Sequence, residues 1–194
     1  MKNRIKAANL AFSLIAVSGI FLWCNAAAAS PAVHPAQVIT IGRLKFKPMP
    51  GWNTRSVTAG FISAVYLSHG KTKPSVEFKI VRLRAPQGVD PVHYLHSVSS
   101  TKNLLHELLN KEGAQDVMLT SHASAWKGLS CEDLHQQYVS REGLHLWRNE
   151  KTFVIAHSTY QIYVTITSKS SIQAGLLQQT VKNWRILLNS IQKQ

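Results

Sequence analysis

The segment CEDLH, residues 131–135, puts a thiol, a carboxylate and an imidazole at alternate positions. On a β-strand, Cys131, Asp133 and His135 project to one side, because successive side chains point to opposite faces. All three types ligate metals, and a thiol beside an imidazole is also the pairing of a nucleophile with its base. The spacing weighs against both uses. Two strand rises separate neighbouring members of the row by about 7 Å, too far for a direct thiol–imidazole hydrogen bond. The competing reading is a structural row on a half-exposed strand face. A second candidate is the pair His93 and His96 in HYLH, whose spacing of three sets both rings on one face of a helix. No third ligand stands near them in sequence, and the competing reading there is two solvated histidines that titrate near neutral pH.

The tryptophans could serve recognition instead. Trp126 and Trp147 flank a predicted hairpin, and an exposed pair there would mark a partner surface. Trp184 is expected in the core and Trp52 in a turn. The chain holds no Gly-rich phosphate loop, no Gly-x-Ser-x-Gly, no His-Glu-x-x-His and no Cys-x-x-Cys. No catalytic residue is assigned and no cofactor is expected.

The elements that must position these residues are legible as periodicity. VITIGRLKFKPMPGWNTR predicts a strand that runs into a Pro-Met-Pro-Gly turn, with Leu44 and Phe46 alternating with Arg43, Lys45 and Lys47. GFISAVYLSHG and SVEFKIVRLR predict two strands joined by a short polar connection. A helix is expected over VDPVHYLHSVSSTKNLLHELLNKEG, with Asp90 as N-cap, Pro91 in the first turn and Gly113 beyond its end. Strands follow in DVMLTS, SAWKGLSCEDLHQQYVS, LHLWRNE, KTFVIAHS and TYQIYVTITSK, with a hairpin turn at REG. The last segment, SSIQAGLLQQTVKNWRILLNSIQKQ, predicts a helix capped by Ser170 or Ser171. Its stripe of Leu177, Val181, Trp184, Leu188 and Ile191 steps by four and three.

The N-terminus reads as a secretory signal. Lys2, Arg4 and Lys6 precede an apolar run, Leu10 to Trp23, and then Asn25 and four alanines. The run of 14 residues is shorter than the roughly 20 that cross a bilayer as a helix, so no transmembrane anchor is expected. Cys24 follows Leu22 and Trp23, which fit poorly before a lipid-modified cysteine. Cleavage is expected near Ala29–Ser30. That divides the chain into a signal peptide at 1–29, an extended leader at 30–37 and one domain at 38–194. Loss of Lys2, Arg4 and Lys6 leaves 19 basic against 9 acidic residues, a formal charge of +10. Such a balance favours anionic partners, although no basic run exceeds two residues. One cysteine, Cys131, remains, so no internal disulfide forms and a buried thiol is expected.

The order of elements, with PMPGW near the start, WKGLS before the strand run and NWRILLNSI at the end, resembles the PsbP-like superfamily over about residues 38–192. That group includes PsbP, DcrB and the Ran-binding Mog protein. The resemblance implies an α+β fold, an antiparallel sheet flanked by helices in a PsbP-like α-β-α sandwich. It also implies a mostly non-enzymatic role in docking onto partners, and it carries over no catalytic residues. The expected function is that of an exported accessory or binding protein, periplasmic or secreted, whose partner is a protein or an envelope component. The alternatives are a metal-binding protein or enzyme built on the Cys131 row, and a basic binder of anionic polymer or lipid head groups. No specific nucleic acid is expected as a partner.

Overall fold

A computed structural model describes residues 38–60, 62–69, 74–84 and 102–194, all of them within one compact unit, Val33–Gln194. The signal segment, the leader, most of the connection at residues 70–73, Asp90, Pro91, His93 and His96 lie outside the described residues.

The chain is built from hairpins. Strands β3 (Asn53–Ala59), β4 (Ile62–His69) and β5 (Ser75–Arg84) form one meander; β6 (Gln115–Trp126), β7 (Leu129–Val139), β8 (His145–Ile155) and β9 (Ser158–Ser168) form a second. The two join where β5 pairs with β9, giving a seven-stranded antiparallel sheet in the order β3-β4-β5-β9-β8-β7-β6. A small sheet holds β1 (Ile39–Ile41), β2 (Leu44–Phe46) and β10 (Gln192–Lys193). Helix α1 covers residues 102–111, and α2 is Ala174–Ser190. The architecture is the expected antiparallel α+β fold.

Several element boundaries differ from expectation for local reasons. The first predicted strand is two, because Gly42 at φ 59° reverses the chain between β1 and β2. SAWKGLSCEDLHQQYVS contains a turn at Lys127 and Gly128, with φ 50° and 75°. Positive φ at both central residues is the two-residue hairpin turn that suits strand twist. DVMLTS is the start of the twelve-residue β6, and LHLWRNE and KTFVIAHS are one strand, β8. Ser170 and Ser171 do not cap α2: its N-cap is Gln173, with no side-chain bond. Gly113 does follow α1 at φ 82°.

Helix α2 lays its apolar stripe on one sheet face. Trp184, Leu187, Leu188 and Ile191 are buried with Val65, Leu67, Phe78, Ile80, Tyr160, Ile162, Val164 and Ile166, while Leu177 and Val181 pack at the margin. Each large buried side chain there contributes roughly 1.5–3 kcal/mol. Ile41, Leu44 and Phe46 join the same core, which ties the small sheet to it.

Candidate functional site

Cys131, Asp133 and His135 do share a face of β7, opposite Phe153, Lys151 and Asn149 of β8. They are engaged separately. The Cys131 thiol is buried and donates to the Leu129 carbonyl at 3.4 Å. Burial pushes this thiol above its ordinary pKa, against the pull of Lys151. Asp133 receives Lys151 Nζ at 2.5 Å on one oxygen, and His122 Nε2 stands 3.5 Å from the other. Lys151 also donates to Ser124 Oγ at 3.0 Å. His135 Nδ1 lies 2.7 Å from Asn149 Oδ1, and its ring meets Trp147 edge-on at 5.6 Å. An amide oxygen only accepts, so Nδ1 carries the proton in this pair. Asp133 and His135 therefore each close their own cross-strand contact, and Cys131 bonds back to its own strand. Among the described residues, no group of three or more His, Cys, Asp or Glu stands close enough to share a metal.

Trp126 and Trp147 do not form an exposed pair. Trp147 is buried in the main core, and Trp126 is half-buried with its ring 5.0 Å from Phe153. The hairpin that they were expected to flank is longer, and its apolar side turns toward the core. Trp52 meets Phe78 edge-on at 4.8 Å beside the Met49 turn, and Phe78 stacks with Trp184 at 6.3 Å.

The opposite sheet face holds what periodicity does not reveal. β9 is buried on both sides, so its polar alternate positions lie inside. Register aligns Glu150, Tyr163, Lys79, Tyr66 and Arg55 across five strands. The order along this row is charge, ring, charge, ring, charge. Lys79 Nζ sits 4.6 Å from the Tyr66 ring centre and 5.4 Å from that of Tyr163; Arg55 lies 4.6 Å from the Tyr66 ring. Arg148, one row over, covers Tyr163 at 3.9 Å and pairs with Glu150 at 2.7 Å. Thr152 and Gln161 each donate to the other Glu150 oxygen at 3.0 Å.

Burial raises the Glu77 carboxyl above its usual range, although Lys79, Arg55 and Arg148 pull it down. Burial also raises the Tyr163 phenol far above its usual value. Burial opposes the Arg148 charge, yet Glu150, Tyr163 and Tyr138 hold its pKa above the ordinary value. Glu132 Oε1 and Arg148 Nε are buried with no hydrogen-bond partner. This face is an ionic and aromatic inner layer, and cation–π contact explains why rings alternate with cations.

Exposed charge separates along the strands. Glu107, Glu112, Asp116 and Glu142 are exposed and belong to α1, the start of β6 and the β7–β8 loop, where they mix with Lys111 and Arg141. At the other end of β6–β9 lie the Lys127 turn and the small sheet, with Arg43, Lys45 and Lys193. β10 pairs Gln192 with Lys45 and Lys193 with Leu44. Gln194 N–H donates to the Arg43 carbonyl at 2.9 Å. Lys193 Nζ donates to the Lys127 carbonyl at 2.6 Å, and Lys127 Nζ donates to the Asn189 carbonyl at 3.0 Å and to the Ile191 carbonyl at the end of α2. Arg82 reaches the same place, packed against Gly42 and donating to Ser158 Oγ at 3.2 Å. Residues 38–47, 126–130, 155–160 and 186–194 contain no Asp or Glu. Scattered in sequence, these cations become neighbours only through the β2–β10 pairing and the Lys127 turn.

No protein-family model and no curated protein matches the chain. Solved structures do. Cyanobacterial PsbP from Synechocystis sp. PCC 6803 matches with a TM-score of 0.56 at 9% identity, over 86% of this chain and 98% of that one. LpqN, involved in cell envelope biogenesis of Mycobacterium tuberculosis, matches with 0.49 at 10% identity, over 90% and 95%. PA94 of Pseudomonas aeruginosa, a protein of unknown function, matches with 0.47 at 14% identity, over 83% and 99%. The match to cyanobacterial PsbP shows the PsbP-like fold, and the likeness concerns the fold alone.

Proposed function

We propose that the chain is an exported, non-enzymatic accessory or binding protein of the cell envelope, released near Ala29–Ser30 and acting through contacts with protein or envelope components. The observation that carries this reading is the separation of exposed charge along the sheet. A scaffold whose described residues place mixed exposed charge at one end and exposed cations at the other is suited to oriented docking. The signal-like N-terminus supports export, and no helix among the described residues is long and apolar enough to cross a membrane. The PsbP-like fold agrees with a domain that binds rather than one that must house a reaction. The test is cell fractionation with N-terminal sequencing, followed by affinity capture of the exported chain from its own envelope. A protein beginning near Ser30 that retains a reproducible envelope component supports the reading. A cytosolic, uncleaved chain overturns it.

A further inference from the structure

We propose that the cationic end formed by Arg43, Lys45, Arg82, Lys127 and Lys193 docks on an anionic lipid surface; the inference deepens the envelope-binding reading and rests on it. Two observations converge. The first is charge: five cations meet where, among the described residues, the segments 38–47, 126–130, 155–160 and 186–194 supply no carboxylate. The internal bonds of Lys127 and Lys193 run to carbonyls, which leave their charge in place.

The second is the company these cations keep. Trp126 is half-exposed beside them, with Lys127 Nζ 5.2 Å from its ring, and Val38 is 47% exposed at the start of the small sheet. A tryptophan and an aliphatic side chain among lysines suit the headgroup layer, where one end of a side chain is apolar and the other wet. A purely polyanionic polymer would gain nothing from Val38.

The expected attraction is additive and salt-sensitive. A basic residue near an anionic leaflet contributes about 1 kcal/mol, roughly fivefold in partitioning, within a Debye length of about 8 Å at physiological salt. The test is co-sedimentation of the exported chain, beginning near Ser30, with vesicles of phosphatidylcholine alone or mixed with phosphatidylglycerol. Lys45→Gln and Lys193→Gln probe the cationic end; Lys111→Gln and Lys169→Gln serve as controls at the other end. The variants differ only in surface charge, and circular dichroism confirms folding. About a fivefold loss of anionic-vesicle binding for each cationic-end variant, with the controls unchanged, is expected. Equal losses in all four variants, no vesicle binding by any form, or binding to heparin alone would overturn the proposal. An exported chain that ignores vesicles removes this inference and leaves the envelope reading standing. A cytosolic chain removes the envelope reading whatever the vesicles show.

Discussion

Lys151 and Asp133 face each other across the β7–β8 ladder with Nζ and Oδ1 2.5 Å apart, yet the two partners are unequally buried. The lysine side chain is 11% exposed and the aspartate 25%. Removing the carboxylate leaves a buried ammonium with only Ser124; removing the ammonium leaves a carboxylate that water and His122 still reach. Asp133→Ala is therefore expected to cost about 3 kcal/mol, and Lys151→Met about 1 kcal/mol. Urea unfolding of the two variants checks the asymmetry. Equal losses would show that the pair acts symmetrically, contrary to the burial.

Tyr163 gives the ionic layer a signature in alkali. Burial raises its pKa, with Arg148 pulling the other way, so the folded chain holds the phenolic proton where the unfolded chain releases it. The stability that follows is fully present below the unfolded value, about pH 10, and is lost as pH rises beyond it. Each retained proton gives a slope of about 1.4 kcal/mol per pH unit. Tyr163→Phe should lose that slope between pH 10 and 11 while staying near wild type at pH 7. Parallel pH profiles for the two proteins would contradict the assignment.

The Cys131 thiol should be inert in the folded state. It is 4% exposed and its pKa is raised, so both access and thiolate fraction are low. In a Cys24→Ser background, a chromogenic disulfide reagent should label almost nothing in native protein and one thiol in denaturant. Rapid native labelling would instead mark Cys131 as reactive and reopen a catalytic role for its strand.

Strand β9 and helix α2 were legible because each has one apolar stripe at a clean period. The second face of β9 was not. Gln161, Tyr163 and Thr165 alternate with the apolar stripe, and sequence shows their polarity but not their burial. Their partners Val81, Lys79 and Glu77 sit some eighty residues earlier, so only the β5–β9 register reveals the ionic layer. Cys131, Asp133 and His135 share one face of β7 as expected, but the partners of Asp133 and His135 belong to β6 and β8, and Cys131 bonds back to Leu129. The basic end was hidden for the same reason: it draws on residues from 43 to 193.

The β8–β9 turn lies at Ala156 and His157, just before the break expected between KTFVIAHS and TYQIYVTITSK, because neither residue carries a turn signature, yet both have positive φ, 42° and 60°. L-residues there pay roughly 1–2 kcal/mol each in strain. Ala156→Asn with His157→Gly, the preferred pair for this turn, should raise stability by about 1 kcal/mol or more. Thermal unfolding measures it. An unchanged midpoint would mean that the two side chains make compensating contacts.

Gly42 joins the small sheet to the large one and leaves no room for a side chain. At φ 59°, a Cβ would lie 2.3 Å from Tyr160 Oη and 2.6 Å from Arg82 Cδ. Tyr160 Oη also accepts a hydrogen bond from the Arg43 N–H at 2.9 Å, while the ring stacks on Phe153 at 5.7 Å in the core. Gly42→Ala must displace this fully buried ring or the β1–β2 turn. Left-handed strain of about 1 kcal/mol and loss of a bond worth about 1 kcal/mol set the scale, so the cost should reach about 2 kcal/mol. Tyr160→Phe, which frees the space of one oxygen, should make the alanine less harmful than in wild type. A double-mutant cycle that shows strict additivity would separate Gly42 from Tyr160 and place the strain elsewhere.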